Sequence, residues 1–275
     1  MIDTKNICTS NRNFKKMVLF ANWKIYMKSR EEVKDYIEKI KSEFKGFDPE
    51  VLEVHIMTDF LSFEYTKQNF SALNIKVGVQ DLFWEDSGAY AGAISPLMLN
   101  NLGCDSAYLG HSERKLYFGE TDENINKKVL ACLRNNIIAL IFIGETKEEL
   151  DKGLTEEVLR RQLNIGLTNV TVEMLNKIIL IYEPRWAIGQ KDSASNAIIK
   201  SMHIMTKELL TELYDVNTVK NLRILYGGSV NLENIEEIIE IKEVDGVGVA
   251  RAALNPIDFI KLVRKIEIEA KKRFL

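Results

Sequence analysis

Eight short apolar runs alternate with amphipathic segments along this chain, and that alternation restricts the folds it can adopt. The runs are rich in branched residues, which is typical of strands buried on both faces. The segments between them repeat apolar residues at three- and four-residue spacing, as helices do. Strict alternation predicts a parallel sheet, and eight units fit an α/β single-domain (β/α)8 barrel better than an open doubly wound sheet. The predicted strands are Val18–Ala21, Val51–Ile56, Ile75–Val79, Ser106–Leu109, Ile137–Ile143, Ile178–Tyr182, Leu222–Leu225 and Val244–Val249.

Capping residues mark where several of the helices begin. Thr146 and Glu149 have the spacing of a capping box. Ser95 precedes Pro96, a pairing that suits an N-cap followed by a first-turn proline. No linker, Pro/Gly-rich break or charge block divides the chain, so we predict one barrel domain over residues 17–275.

The polar leader, residues 1–16, lacks the apolar segment of a secretory signal. Met17 directly precedes the first predicted strand. Two interpretations remain open: a disordered tail, or an artefact of start-codon choice with Met17 as the true start.

Charge and cysteine content narrow the classes of partner and compartment. The net charge is −3, which favours neither nucleic acid nor a membrane surface. No apolar run reaches the ~18–20 residues that a membrane helix needs. Cys8, Cys104 and Cys132 lack metal or redox spacing, and their odd number argues against a disulfide framework. We therefore predict a cytoplasmic protein in a reducing compartment, with no nucleic-acid or membrane partner.

Charged side chains follow several predicted strands, at the barrel edge where this fold builds active sites. The strand 178–182 is followed by Glu183, and Pro184 stops it. Lys24 follows the first strand and offers a cation suited to an anionic substrate. His111 follows the fourth strand, and imidazole is the usual acid, base or electrophile near neutral pH. We expect these three side chains to meet at one mouth of the barrel.

Turns built of small residues follow the last two predicted strands. Gly228 and Ser229 follow the seventh strand, and Ala250 with Arg251 follows the eighth. Turns that open onto a helix present free backbone N–H groups and a favourable dipole, which suits a phosphate group. These two loops form the common phosphate site of this architecture.

Together these groups predict a proton transfer beside a carbonyl group on a small phosphosugar. The carboxylate acts as the base, while the imidazole and the lysine stabilise the enediolate oxygens. The phosphate site supplies positioning and remote binding energy. This chemistry needs no metal or cofactor, and the sequence shows no metal-ligand cluster, nucleotide loop or cysteine nucleophile. We expect His55, in a strand, and His203, in a helix, to be structural.

The sequence also resembles the triosephosphate isomerase family, from about Val18 to Leu254. The resemblance implies a TIM barrel enzyme of glycolysis and gluconeogenesis. The motifs that carry it are Asn22-Trp23-Lys24, Gly78-Val79-Gln80-Asp81, Gly110-His111-Ser112-Glu113-Arg114, Ile143-Gly144-Glu145-Thr146, Tyr182-Glu183-Pro184-Arg185-Trp186-Ala187-Ile188-Gly189 and Tyr226-Gly227-Gly228-Ser229-Val230.

The resemblance assigns a role to each matching residue. It implies Glu183 as the base and His111 as the electrophile, a pairing for which this family is a known example of pKa tuning. Lys24 would stabilise charge and Asn22 would orient the reacting end. The supporting residues would be Glu113 and Ser112, and the substrate phosphate would bind at Gly189, Gly228, Ser229, Ala250 and Arg251.

A lid is also implied by the resemblance. Residues 184–190 would close over the substrate, with Trp186 packing toward Glu145 and Tyr226, and would exclude water from the enediolate.

Ala250-Arg251 departs from the family, which has Gly-Gly at this phosphate-binding turn. Alanine allows less backbone freedom than glycine, and arginine adds a charge and a fork of donors. Two interpretations follow. In the first, the Arg251 side chain points to solvent and its backbone N–H still binds the phosphate. In the second, the phosphate-binding end of the site is altered to suit another substrate.

The loop 88–93 is a second departure. In the family it carries a Thr and a Glu at the positions of Ala91 and Ala93, and it reaches across a dimer to the partner's active site. Its Glu there pairs with the arginine that matches Arg114. The resemblance implies a homodimer, and the two alanines weaken that implication.

Substitutions in the lid and on the fifth strand form a third departure, and none removes a chemical group. Arg185 stands where the family has Val, Gln190-Lys191 where it has Thr-Gly, and Phe142 where it has Cys.

The leading hypothesis is interconversion of dihydroxyacetone phosphate and D-glyceraldehyde 3-phosphate. The alternative is the same chemistry on a four-carbon ketose phosphate such as erythrulose phosphate. A barrel that binds a phosphometabolite without catalysis is a third hypothesis, from another class. The joint presence of Asn22, Lys24, His111, Glu113 and Glu183 argues against it.

Overall fold

The computed structural model describes residues 15–190 and 192–275, and eight parallel strands within them close into a barrel in chain order. The predicted (β/α)8 fold is confirmed, and each strand lies within a few residues of its predicted position. The predicted leader lies outside the described residues, apart from Lys15 and Lys16. The strands are β1 Met17–Asn22, β2 Leu52–Thr58, β3 Lys76–Val79, β4 Ser106–Leu109, β5 Ile138–Ile143, β6 Ile178–Tyr182, β7 Arg223–Tyr226 and β8 Gly246–Val249.

Helices cover the outside of the barrel, and they begin at the predicted caps. Thr146 and Glu149 form a complete capping box. The Ser95 side chain accepts a hydrogen bond from the Met98 amide at the start of the helix that opens with Pro96. The helices are α1 Arg30–Glu43, α2 Phe60–Phe70, α3 Pro96–Asn101, α4 Ser112–Phe118, α5 Asp122–Arg134, α6 Lys147–Asp151, α7 Thr155–Gly166, α8 Asn196–Leu213, α9 Val216–Asn221, α10 Ile235–Ile239 and α11 Pro256–Phe274.

The strands separate two apolar cores because successive side chains point to opposite faces. In β5, Ile138, Leu140 and Phe142 belong to the cluster inside the barrel. Ala139 and Ile141 belong to the larger cluster between the strands and the helices. A barrel filled in this way is a packed core rather than a pore, so polar chemistry is confined to its two ends.

An ionic cluster lies at the amino ends of the strands. Glu53 lies 2.7 Å from the His55 ring, 3.0 Å from the Arg223 guanidinium and 3.0 Å from the Lys76 ammonium group. Burial opposes the ionisation of Glu53, but these partners outweigh it and hold the pKa of its carboxyl well below the ordinary value. His55 is fully buried, in agreement with the predicted structural role. We expect this ionic cluster to contribute to stability, because the active sites of this fold lie at the opposite end of the barrel.

Within the described ranges, no helix combines the length and apolar character that crossing a membrane requires.

Candidate active site

A cavity of about 860 Å³ opens at the carboxyl ends of the strands. The loops after β1, β4, β6, β7 and β8 all contribute to its wall, as the sequence predicted. Ser112 and Gly228 do not line it, although both lie in loops that do. The predicted site residues that line it are Asn22, Lys24, His111, Glu113, Glu183, Gly189, Ser229, Ala250 and Arg251.

Glu183 lies immediately after β6, and backbone contacts hold it there. Its amide donates to the Ile143 carbonyl at 2.8 Å, which aligns the ends of β5 and β6. A Cβ at Gly144 would lie 2.1 Å from the Glu183 carbonyl oxygen, so this close approach requires glycine. The carboxylate is 3% exposed and accepts a hydrogen bond from the Ser112 amide at 2.9 Å. Ser112 therefore supports Glu183 through its backbone.

His111 caps the amino end of α4 with its ring. Its Nδ1 accepts a hydrogen bond from the Glu113 amide at 3.2 Å, so the ring hydrogen belongs on Nε2. Nε2 lies 3.2 Å from the Glu183 carboxylate. A ring that accepts at one nitrogen and donates at the other is a neutral imidazole, and it is aimed into the cavity as an electrophile requires.

Lys24 is held in an unusual backbone conformation. Its φ of 47° lies in the left-handed region, which is rare for a residue with a side chain and is common at functional sites. The Asn22 side chain accepts from its amide at 2.8 Å, and the Gln80 side chain donates to its carbonyl at 2.9 Å. Its ammonium group lies 2.6 Å from Glu113, which also lies 3.7 Å from the His111 ring. Glu113 therefore lies beside both Lys24 and His111.

Behind the His111 loop lies a buried ionic network. Glu120 accepts from the Gly110 amide at 3.0 Å and pairs with the Lys128 ammonium group. Asp81 pairs with Lys128 at 2.5 Å and with Arg114 at 2.7 Å. Burial raises the pKa of Asp81, with the Lys128 charge acting in the opposite direction. The resemblance implied that a Glu of the partner subunit would pair with Arg114. In this structure Arg114 pairs with Asp81 of its own chain.

The segment after Glu183 forms a short 3-10 turn from Arg185 to Ala187, and the residues that follow it, Ile188, Gly189 and Gln190, line the cavity. The Trp186 indole donates to Glu145 at 2.7 Å, so the predicted contact between them is confirmed. The Tyr226 hydroxyl, predicted as a further neighbour of Trp186, accepts from the Ala194 amide at 2.9 Å. Lys191 lies outside the described residues.

Two polar contacts join the predicted phosphate loops to that segment. The Ser229 hydroxyl donates to the Ala187 carbonyl at 2.7 Å. The Arg251 guanidinium extends toward the Gly189 carbonyl, 3.5 Å away. Arg251 is therefore aimed across the cavity mouth, which favours the reading in which its side chain takes part in the site.

The floor of the cavity is aromatic, and the sequence reasoning missed it. Phe20, Tyr108 and Phe142 pack edge to face, with ring centroids 4.7 to 6.0 Å apart. A Cβ at Gly248 would lie 1.9 Å from the Phe20 ring, so β8 makes room for the ring of β1. The available signal was the two-residue period of the strands, which places Phe20 and Asn22 on the same inward face.

Fold and site together define a barrel enzyme of the isomerase class, with a carboxylate, an imidazole and an ammonium group converging at one mouth. Comparison with known proteins specifies the family. The sequence model of triosephosphate isomerase matches residues 17–266. The chain belongs to the triosephosphate isomerase family.

Individual relatives are similar over nearly their whole lengths. The triosephosphate isomerase of Dictyoglomus turgidum is 38% identical over 250 residues, which cover 91% of this chain and 99% of the relative. That of Geotalea uraniireducens is 36% identical over 250 residues, covering 91% and 98%. That of Clostridium tetani is 35% identical over 249 residues, covering 90% and 96%.

Proposed function

We propose that this protein interconverts dihydroxyacetone phosphate and D-glyceraldehyde 3-phosphate through an enediolate. The observation that carries the proposal is the convergence of three groups. The Glu183 carboxylate lies 3.2 Å from His111, and both Lys24 and His111 are supported by Glu113. The relatives described above bear the name of this activity, so the four-carbon alternative is not favoured.

In the proposed reaction, the Glu183 carboxylate takes a proton from the carbon beside the carbonyl group. The electron pair of that C–H bond forms a carbon–carbon double bond, and the carbonyl oxygen becomes an oxyanion. The Nε2–H of His111 and the Lys24 ammonium group stabilise the enediolate oxygens. The hydroxyl proton of the first carbon must also pass to the former carbonyl oxygen, and His111 is the proposed carrier: Nε2 gives its hydrogen to that oxygen and takes the hydroxyl hydrogen from the other. Glu183 returns its proton to the neighbouring carbon while the first carbon becomes the new carbonyl group, so one residue serves as base and then as acid.

The substrate phosphate is proposed to bind at the turns after β6, β7 and β8. Backbone N–H groups at Gly189, Gly228, Ser229 and Ala250 are the expected donors, as in the family. Arg251 adds a guanidinium group at the same edge, and its reach toward the Gly189 carbonyl supports a role in binding. We propose that Arg251 contributes charge where the family relies on backbone groups alone.

A coupled isomerase assay on triose phosphates and on erythrulose phosphate tests the function. We expect turnover of the triose phosphates and loss of activity in Glu183→Ala. Preference for the four-carbon substrate would overturn the substrate assignment. Absence of turnover of either substrate, with phosphosugar binding retained, would favour the non-catalytic hypothesis.

A homodimer is the assembly that we propose. Large apolar side chains are exposed on segments next to the carboxyl ends of the first four strands, among them Ile25, Leu61, Tyr90, Tyr117 and Phe118. Exposed apolar groups gathered on one side favour a protein interface. Sedimentation at low protein concentration is expected to give twice the 31.5 kDa chain mass. A persistent single-chain mass would show that Ala91 and Ala93 have weakened the contact.

A cytoplasmic location is also proposed. Cys104 and Cys132 are buried free thiols, which is typical of proteins that work in a reducing compartment.

A further inference from the structure

Tyr108 lies on the floor of the active-site cavity and has no place in the mechanism described so far. It is on β4, three residues before His111, and its ring is parallel to the His111 ring with centroids 6.1 Å apart. It packs edge to face on Phe20 at 5.2 Å and on Phe142 at 4.7 Å. These contacts fix the ring, so the direction of its hydroxyl group is also fixed.

The Tyr108 hydroxyl has no hydrogen-bond partner among the residues that the structure describes. The side chain lines the cavity and yet is only 1% exposed. A buried hydroxyl without a partner costs free energy, so such a group in a site calls for an explanation. Burial, and then the nearby Glu183 charge, raise the pKa of Tyr108 well above its ordinary value, so the hydroxyl keeps its hydrogen and is a donor.

Glu183 needs a donor at the moment it acts. Its carboxylate is now held by the Ser112 amide at 2.9 Å and by His111 Nε2 at 3.2 Å. To act on a substrate carbon it must leave Nε2, because that N–H has to donate to the substrate oxygen. A buried carboxylate that loses a donor is strongly destabilised unless another replaces it.

Two residues around the Glu183–His111 pair carry buried hydroxyl groups that have no hydrogen-bond partner among the residues described. One is Tyr108, whose ring is stacked on His111, and the other is Ser112, whose amide donates to Glu183. Tyr108 lines the cavity into which the carboxylate must turn, whereas Ser112 does not. Geometry therefore favours Tyr108 as the replacement donor.

We propose that Tyr108 is a positioning residue whose hydroxyl donates a hydrogen bond to the Glu183 carboxylate as that group turns from His111 toward the substrate. This inference rests on the proposed function. The bond would form only once the carboxylate has turned toward the substrate, so it would favour the reacting arrangement over the one in which His111 holds the carboxylate.

Tyr108→Phe tests the proposal, because it removes the hydroxyl and keeps the ring contacts. We expect kcat to fall roughly tenfold to a hundredfold, the range for a hydrogen bond to a charged group, with KM unchanged. The melting temperature should stay the same or rise, since the variant removes an unpartnered buried polar atom. A residue with only a structural role would not lower kcat while preserving stability and KM.

Tyr214→Phe is the matched control, because it removes a hydroxyl that donates to the Val170 carbonyl at 3.1 Å, away from the cavity. It should lower stability slightly and leave kcat unchanged. Equal kcat in Tyr108→Phe and the parent would overturn the inference while the proposed function stood. A loss of kcat in Ser112→Ala but not in Tyr108→Phe would also overturn it. An inactive parent protein would instead overturn the proposed function, and this inference with it.

Discussion

Individual side chains at this site owe their chemistry to neighbours that fix their hydrogen bonds. The Glu113 amide occupies His111 Nδ1 and leaves Nε2 to donate. The Ser112 amide and Nε2 both contact the Glu183 carboxylate and fix its direction. Lys24 is fixed by Asn22, Gln80 and Glu113. Backbone amides orient His111 and Glu183, and side chains orient Lys24, so the site keeps its geometry before the substrate binds.

Arg251 stands in the proposed phosphate-binding turn at a position where the resemblance implied glycine. Replacing it with glycine removes a charge-assisted contact to phosphate, so we expect KM to rise roughly tenfold with kcat largely retained. Arg251→Lys keeps the positive charge but loses the two-pronged donor geometry of the guanidinium group. Its KM should lie between those of the parent and Arg251→Gly. Steady-state kinetics with both triose phosphates provide the measurement. Unchanged Michaelis constants in Arg251→Gly would show that the side chain points to solvent.

Residues at strand ends were predictable from the sequence, while their supporting neighbours were not. Glu183, His111 and Lys24 each follow an apolar run, and parallel strands bring such positions to one edge. In the sequence, Gln80 is only one member of the motif Gly78-Val79-Gln80-Asp81, and Tyr108 looks like any other residue of an apolar strand. Their roles depend on which side chains meet inside the barrel, and a single sequence does not show that pairing.

At the scale of elements, β1 and β8 fit together through one large and one small residue. The two strands pair with Phe20 opposite Gly248, so the ring fills the space that a side chain on β8 would need. Tyr108 and Phe142 contact the same ring, so it has little freedom to move away. Packing of this kind leaves no tolerance for added volume.

Gly248→Ala is therefore expected to destabilise the fold by about 1–3 kcal/mol, because the new methyl group overlaps the Phe20 ring. Phe20→Ala leaves a void and should itself cost about 3–5 kcal/mol. The double variant should lose less stability than the two single variants lose together, because alanine at position 20 removes the overlap with the new methyl group at position 248. Denaturant unfolding of all four proteins measures this coupling. Additive losses would contradict the proposed fit.

Capping residues and the apolar pattern of the sequence predicted where the elements begin and end. The observed strands lie within a few residues of the predicted ones. The short α4, Ser112–Phe118, is the element that matters most for chemistry, because His111 caps it. The ionic network behind the His111 loop joins Lys128 on α5 to Glu120 and Asp81, which lie outside the helices. Such pairings arise only once the barrel has closed, which is why the sequence did not predict them.

For the molecule as a whole, two buried histidines link stability to pH. His203, on α8, is fully buried, and its Nδ1 lies 2.8 Å from the Ile199 carbonyl. Burial lowers the pKa of His203 from 6.5 to about 4. The pKa of His55 is also lowered by burial. Both rings are therefore neutral in the folded protein at neutral pH.

The contribution of His203 to stability is present above its unfolded pKa of about 6.5 and is lost as the pH falls toward 4, at about 1.4 kcal/mol per pH unit. In His203→Gln this slope disappears, whereas His55 contributes equally to both proteins. Between pH 7 and pH 5, the parent should lose about 2 kcal/mol more stability than the variant. Urea unfolding at the two pH values measures the difference. Equal losses would mean that His203 titrates normally when folded.

The central claim is that Glu183 moves a proton to and from a substrate carbon, and solvent exchange tests it most directly. Dihydroxyacetone phosphate is incubated with enzyme in D2O, and proton NMR follows deuterium at the carbon beside the carbonyl group. We predict incorporation with the parent protein and none above background with Glu183→Gln. Incorporation by Glu183→Gln at the rate of the parent would contradict the account.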